Sequence, residues 1–292
     1  MSRCIVTGHK GYIGSKLTAK LREQGHEVIG IDLNDEHSKD ILNVLREDSE
    51  GSFHPHYYNF KPEYVFHTAC WPRIGFCLER PVETMYNNVL AGSVVLNFAR
   101  KCGSVKRVIY SSSSSVVGDG DGPTNPYALQ KLVTEMETKI YSEIYGLDTV
   151  SLRYFNVYSE DQKADGPYAT AVANWMRSIR KGISPFITGD GEQRRDMVHV
   201  DDVVSANIFA MNCEGNIGGK SYDVGTGTNI SLNEIKDIIL ESHDVEFEYL
   251  DARPGEVMST KADVESLAKL GWTHSIDIHS GISKCFDFGG DR

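Results

Sequence analysis

Tyr127 and Lys131 stand four residues apart at the start of a stretch with helical periodicity, downstream of an unbroken run of serines, Ser111 to Ser115. On a helix that spacing puts both side chains on one face, where the lysine ammonium lowers the pKa of the phenol by favouring its charged form. A tyrosine tuned in this way serves as a general base near neutral pH. The same spacing also arises by chance in many helices, so its meaning depends on what accompanies it.

A second chemical pattern lies at the N-terminal end. The apolar run Cys4-Ile5-Val6 leads into Thr7-Gly8-His9-Lys10-Gly11-Tyr12-Ile13-Gly14, and a helix follows with Ile13, Leu17 and Leu21 on one face and a stop at Gly25. Glycines at such a turn let the backbone bend tightly and approach a pyrophosphate, which the helix N-terminus binds through its N–H groups and dipole. The next strand ends in Ile31-Asp32, eighteen residues past Gly14. A carboxylate there accepts hydrogen bonds from a ribose diol. Gly8, Gly11, Tyr12, Ile13, Gly14 and Asp32 are thus candidate cofactor-binding residues. NAD is favoured over NADP, because Asp32 repels a 2′-phosphate and no arginine follows within the next few positions. The competing reading is a glycine turn that only packs helix on strand.

These groups need a scaffold, and the chain supplies its pattern. The runs Arg3 to Thr7, Glu27 to Asp32, Tyr64 to His67, Arg107 to Ser111 and Thr149 to Tyr154 read as strands with helical stretches between most of them. That rhythm predicts an α/β fold, a doubly wound parallel sheet of Rossmann type with a smaller mixed substrate-binding lobe. The polar segment Ser159 to Gly166 marks the lobe boundary. The expected division is 1–159 for the NAD-binding domain, with a return segment at about 196–213, and 160–195 plus 214–292 for the substrate lobe. Helices are expected at Ala169 to Lys181, Asp201 to Met211, Ser231 to Glu241 and Asp263 to Leu270. The helices 88–101 and 127–145 carry more apolar surface than one sheet face requires. Two readings fit the excess: packing against the sheet, or a homodimer in which both helices meet their symmetry mates in a four-helix bundle.

Composition narrows the partners. With 292 residues, 40% hydrophobic and 24% charged, the chain has the make-up of a folded globular protein. Thirty Lys and Arg against forty-one Asp and Glu give a net charge of −11, which opposes binding to nucleic acid or an anionic membrane. A phosphate-bearing ligand must then be met by local cations. Cys4, Cys70, Cys77, Cys102, Cys213 and Cys285 are scattered without C-x-x-C spacing, which reads as reduced thiols and no zinc site. His54 and His56 have a ligand-like spacing but no acidic or cysteine partner, so no metal is expected. No signal-peptide pattern or apolar run of about 20 residues is apparent, and a cytoplasmic location is expected.

The glycine motif, Asp32, the serine run, Tyr127-x3-Lys131 and Arg153-Tyr154-Phe155-Asn156 occur in an order that resembles the extended short-chain dehydrogenase/reductases, specifically the NAD-dependent sugar-nucleotide epimerases. The likeness continues through Gly189-Asp190-Gly191-Glu192-Gln193-Arg194-Arg195-Asp196, Val198-His199-Val200-Asp201-Asp202 and Arg253-Pro254-Gly255-Glu256. It implies NAD as cofactor and a nucleotide-diphosphate sugar as partner. It also implies roles: Ser113 bonds the reacting sugar oxygen, Tyr127 is the acid/base, and Lys131 bonds the nicotinamide ribose while keeping the phenol acidic. Asn156, Arg195 and Arg253 fall where the family holds the diphosphate, a task suited to arginine. Asp40 and Ile41 occupy the adenine-contacting place, and His67 to Trp71 the loop beside the nicotinamide. Arg73 is a further candidate for the sugar or phosphate, with a structural role as its competing reading.

The resemblance also bears on the reaction. Related dehydratases carry an Asp-Glu pair after the active-site hydroxyl residue, and decarboxylases a Glu, whereas this chain has Ser114 and Ser115. That favours oxidation and reduction at one carbon, as in a 4-epimerase. Thr260 matches a position where relatives carry either a tyrosine or a small residue. A small side chain there admits an N-acetyl group, so UDP-hexoses and UDP-N-acetylhexosamines both fit. Two departures stand out: Val116-Val117-Gly118 replaces the usual Val-Tyr-Gly, and only seven residues separate Gly118 from Pro126. The competing functions are a nucleotide-sugar reductase or 3,5-epimerase/reductase, and a catalytically silent nucleotide-binding homologue.

Overall fold

The computed structural model describes residues 1–34, 40–72, 74–118, 120–164, 170–252 and 257–288. Twelve strands are found among them: β1 (Arg3–Thr7), β2 (Glu27–Ile31), β3 (Tyr64–His67), β4 (Arg107–Ser113), β5 (Thr149–Tyr154), β6 (Val157–Tyr158), β7 (Phe186–Thr188), β8 (Arg194–Arg195), β9 (Val198–His199), β10 (Lys220–Val224), β11 (Ile230–Ser231) and β12 (Glu248–Leu250). The chain divides into two compact units, 1–153 with 204–222, and 154–203 with 223–292. The return segment therefore lies at 204–222 instead of about 196–213, because β10 joins the edge of the large sheet beside β5.

In the first unit a six-stranded sheet has the order β10-β5-β4-β3-β1-β2, and β2, β1, β3 and β4 pair in parallel. The order reverses direction between β1 and β3, so a crevice opens past their carboxyl ends, where such sheets bind ligands. Cys4, Ile5, Val6, Val65 and Phe66 are fully buried, as expected of strands covered on both faces. One core joins Ile5, Ile31, Val65 and Val108 to Val94, Val95 and Phe98 of the helix Ala91–Cys102. The apolar stripe of that helix is thus packing surface. It is preceded by a π-helical turn, Tyr86–Leu90, where the sequence pattern suggests one continuous α-helix.

The helix Pro126–Tyr145 is different. Its buried residues are Ala128, Gln130, Lys131, Thr134, Glu135 and Thr138, while Leu129, Met136, Ile140 and Ile144 are exposed. Polar groups face inward, and an apolar stripe faces out. Asn125 starts the helix by accepting a hydrogen bond from the Ala128 N–H at 3.0 Å, Pro126 occupies its first turn, and left-handed Gly146 ends it.

The second unit holds its own core of Trp175, Met176, Ile187, Ile235, Ile239, Ile282 and Phe286. Small two-stranded pairings, β6 with β9, β7 with β12 and β8 with β11, surround it. Helices Ala171–Arg180 and Leu232–Leu240 start at Thr170 and at a Ser231/Glu234 capping box. The short strands were not evident in the sequence, being two or three residues each.

Candidate active site

In the glycine turn, Gly8 has φ +72°, its N–H donates to the Ile31 carbonyl at 2.7 Å, and its own carbonyl accepts from the Gly11 N–H at 2.9 Å. A Cβ on Gly8 would lie 2.8 Å from the Ala69 backbone, and one on Gly14 would lie 2.1 Å from the Gly8 carbonyl oxygen. Only glycine fits either place. The helix Tyr12–Glu23 begins at Gly11 without a side-chain cap, leaving its N-terminal end to an anion. The Asp32 carboxylate sits beyond β2, accepting from the Lys10 and Asn34 N–H groups at 3.0 Å each. This donor set suits the diphosphate and ribose of a dinucleotide. Asp40 caps the short helix Ile41–Val44 by accepting from the Leu42 N–H at 3.0 Å, and Ile41 is buried.

Ser113, Tyr127 and Lys131 come together at the carboxyl end of β4. Ser113 is the last residue of that strand, and its hydroxyl oxygen accepts from the Ser115 N–H at 3.3 Å and the Ser115 hydroxyl at 2.9 Å. The Ser113 hydroxyl lies near enough to the Tyr127 phenol to favour its charged form. Lys131 is 4% exposed, and its ammonium donates to the Ser111 carbonyl at 2.6 Å and lies 5.1 Å and 6.0 Å from the ring centres of Tyr110 and Tyr127.

The spacing predicts a phenol made more acidic, but burial pushes the Tyr127 pKa up, with the neighbouring Cys70 thiol adding to the rise and the Ser113 hydroxyl opposing it. The Lys131 ammonium is directed at the Ser111 carbonyl, and desolvation of the phenol prevails.

His67 forms the floor beside these groups. It shares a 2.8 Å hydrogen bond with the Thr7 hydroxyl, stacks on Tyr110, and has a buried Nε2 without a partner. Burial, with Lys131 nearby, drives its pKa down to about 3, so the ring is neutral. Cys70 and Tyr110 were missed as neighbours of Lys131. No periodicity or spacing marks them, since they arrive from separate strands and loops. Behind the site Glu135, one turn past Lys131, accepts from the Ser112 hydroxyl at 2.7 Å and pairs with Arg153, bracing β4 against the helix.

In the second unit Asn156, Arg195 and Thr260 converge. Asn156 has φ +23°, an unusual conformation for any residue but glycine, and its Nδ2 donates to the Asp196 carbonyl at 2.7 Å and toward the Thr260 hydroxyl at 3.4 Å. The Thr260 N–H donates to the Arg194 carbonyl at 3.1 Å. Asn156 and Arg195 line a cavity of about 250 Å³ together with Thr170, Trp175, Phe186 and Leu232. Arg73 and Arg253 lie outside the described residues.

The departures near Gly118 have a structural counterpart. Gly118 has φ +57°, and Gly120 and Gly122 both donate to the Val117 carbonyl, at 3.1 and 3.2 Å, so the short connection folds back as a tight turn. His54 caps the helix Pro55–Asn59 by accepting from the His56 N–H at 3.3 Å. Among the described residues no helix is long and apolar enough to cross a membrane.

An uncapped glycine turn, an acidic residue after β2 and a Ser-Tyr-Lys group after β4 define an NAD-dependent enzyme of the short-chain dehydrogenase/reductase type. A family model described as "NAD dependent epimerase/dehydratase family" matches residues 4–225, and the chain belongs to that family. It is 30% identical to the UDP-glucose 4-epimerase of Mycolicibacterium smegmatis over 98% of both chains. Among solved structures, it resembles the UDP-N-acetylglucosamine 4-epimerase of Methanobrevibacter ruminantium in complex with UDP-N-acetylmuramic acid, with TM-score 0.85, 29% identity and coverage of 98% of this chain and 97% of that one. The Thermus thermophilus UDP-glucose 4-epimerase in complex with NAD gives TM-score 0.83 and 27% identity, with 98% of both chains covered.

Proposed function

We propose that the protein is an NAD-dependent epimerase that inverts C4 of a nucleotide-diphosphate sugar, a UDP-hexose or UDP-N-acetylhexosamine, through a transient 4-keto sugar. The observation that carries this reading is Ser113, Tyr127 and Lys131 brought together at the carboxyl end of β4, with Lys131 buried one turn past Tyr127, in a chain whose relatives are named as 4-epimerases of UDP-sugars. Gly8, Gly11, Tyr12, Ile13 and Gly14 hold the cofactor diphosphate at the helix N-terminus, Asp32 takes the ribose diol, and Asp40 and Ile41 border the adenine. NAD, when bound, supplies the hydride acceptor and donor.

Ser113 orients the 4-hydroxyl by hydrogen bonding, and Tyr127 removes its proton as C4 is oxidised. Lys131 holds the ribose and offsets the negative charge that develops on the phenol. The keto sugar turns about its diphosphate, which Asn156, Arg195 and Arg253 retain. Tyr127 then returns the proton as C4 is reduced from the opposite face. The first unit serves the cofactor and the second the substrate, with Thr260 small enough to leave room at C2 and Arg73 a further contact to the sugar or phosphate.

Two finer features belong to the same reading. The outward apolar stripe Leu129, Met136, Ile140 and Ile144 is covered by a second copy of the chain, giving a homodimer. The enzyme works in the cytoplasm, consistent with six free thiols. The test is incubation of the purified protein with UDP-glucose, UDP-N-acetylglucosamine, and GDP- and dTDP-sugars, with and without added cofactor. Conversion to the C4 epimer without net NADH change supports the proposal. Absence of any conversion, with Tyr127→Phe indistinguishable from wild type, refutes it.

A further inference from the structure

Asp196 is fully buried, and no step of the proposed reaction uses it. Its carboxylate is nonetheless bonded on every side. Oδ1 accepts from the Thr226 N–H at 2.8 Å and the Thr226 hydroxyl at 2.9 Å, and Oδ2 accepts from the Gly227 N–H at 2.9 Å and the Ala262 N–H at 3.0 Å. The main chain of the same residue reaches the substrate-holding groups. Its carbonyl accepts from Asn156 Nδ2 at 2.7 Å, and its N–H donates to the Thr260 carbonyl at 3.0 Å. Arg195 precedes it directly. Three separate chain segments, at 156, 226–227 and 260–262, are therefore tied to one residue.

We propose that Asp196 is the positioning residue of the substrate-holding face, fixing the backbone that carries Asn156, Arg195 and Thr260. This inference rests on the reading of those residues as contacts to a nucleotide-diphosphate sugar.

The geometry leaves no room for an isosteric replacement. An asparagine amide nitrogen turned toward Gly227 and Ala262 confronts two N–H donors. Turned the other way, it still confronts the Thr226 N–H, although the Thr226 hydroxyl can rotate, since it lies 3.0 Å from both the carbonyl and the hydroxyl of Thr228. The surrounding turn does not yield easily. A Cβ on Gly225 would sit 2.6 Å from Ala262 Cβ, and one on Gly227, at φ +73°, would sit 2.7 Å from a Val264 methyl. A buried donor left without its acceptor is among the more disruptive single changes a folded protein meets. The displacement passes through two main-chain hydrogen bonds to Asn156 and Thr260, whose task is binding instead of proton transfer.

The test compares Asp196→Asn and Thr226→Val with wild type for kcat and KM on UDP-glucose and UDP-N-acetylglucosamine, for UDP affinity by calorimetry, and for the rise in thermal midpoint on adding NAD. Asp196→Asn is expected to raise the sugar KM and weaken UDP about tenfold or more, with kcat within about threefold. Thr226→Val, which removes one donor of four, moves both in the same direction by about two- to fivefold. The NAD-induced stabilisation is unchanged in both, because the glycine turn belongs to the other unit. A fall in kcat at constant KM, or KM and UDP affinity unchanged in both variants, overturns the proposal. If Asp196→Asn does not fold, Thr226→Val decides. Wild-type protein that converts neither sugar counts against the reaction, and the positioning role is then judged on UDP affinity alone.

Discussion

Replacing Gly14 by alanine sets two effects of opposite sign against each other. Gly14 is the third residue of the helix Tyr12–Glu23, and alanine in place of glycine favours a helix by about 1 kcal/mol. Against that, the new Cβ would lie 2.1 Å from the Gly8 carbonyl oxygen and 2.8 Å from both the Gly8 carbonyl carbon and the Thr68 hydroxyl oxygen. Gly8 has nowhere to retreat, since its N–H is held by Ile31 at 2.7 Å and its far side faces the Ala69 backbone. Overpacking against backbone costs about 3 kcal/mol, the upper end of the usual range. The clash therefore wins by about 2 kcal/mol, and the distorted turn weakens NAD by about thirtyfold. Gly11→Ala is the control. Its Cβ would be 3.1 Å from the Gly8 oxygen at an ordinary φ of −73°, and its thermal midpoint is expected to stay close to wild type. Calorimetric titration with NAD and thermal unfolding read both variants. A Gly14→Ala protein that melts higher than wild type and binds NAD equally well refutes the reasoning.

Further outcomes follow from the same geometry. Tyr127→Phe should lower kcat by about two to four orders of magnitude while the sugar KM stays within about threefold, because the ring remains and only the proton carrier is lost. Burial raises the Tyr127 and Tyr158 phenols above their ordinary pKa of 10.0. Their stabilising contribution is thus intact below about pH 10 and lost as the pH climbs through the raised values, so the alkaline decline of the thermal midpoint should be less steep in Tyr158→Phe. His67 behaves in the opposite sense. With its pKa lowered from 6.5 to about 3, the folded state resists protonation, and stability intact above pH 6.5 is lost as the pH falls toward 3. His67→Gln should flatten that acid limb in a thermal scan across pH. Ile140→Glu, placed on the exposed apolar stripe, should convert a dimer to a monomer in sedimentation measurements, and a wild-type monomer would refute the proposed assembly.

Five of the six strands of the large sheet were legible because they are apolar runs closed by turn residues, a pattern that buried parallel strands produce, whereas the edge strand β10, Lys-Ser-Tyr-Asp-Val, shows no such run. The glycine turn was legible for the same local reason: the residues that make it are consecutive. What the sequence concealed is assembled from distant segments. Cys70, Tyr110 and His67 meet around Lys131 from two strands and a loop, and Asp196 gathers donors from Thr226, Gly227 and Ala262. The two wide apolar helices show the limit most directly. Their patterns look alike, but one buries its stripe on the sheet and the other turns its stripe outward, because Lys131, Glu135 and Thr138 occupy its inner face.

The Tyr127 phenol shows why spacing alone misjudges chemistry. The Lys131 ammonium lies 6.0 Å from the ring centre, where a positive charge favours the phenolate. Desolvation of the half-buried phenol acts the other way and raises its pKa. Sequence spacing reports only the first quantity, whereas the fold sets the second, and the larger one prevails. Lys131 is then a partial counterweight to burial, and its removal should raise the phenol further. Lys131→Met is expected to move the alkaline rise of log kcat to higher pH, so that activity lost near neutrality is partly regained by base. A Lys131→Met profile that superimposes on wild type after vertical scaling would leave the ammonium a binding role only, with no part in setting the acidity of Tyr127.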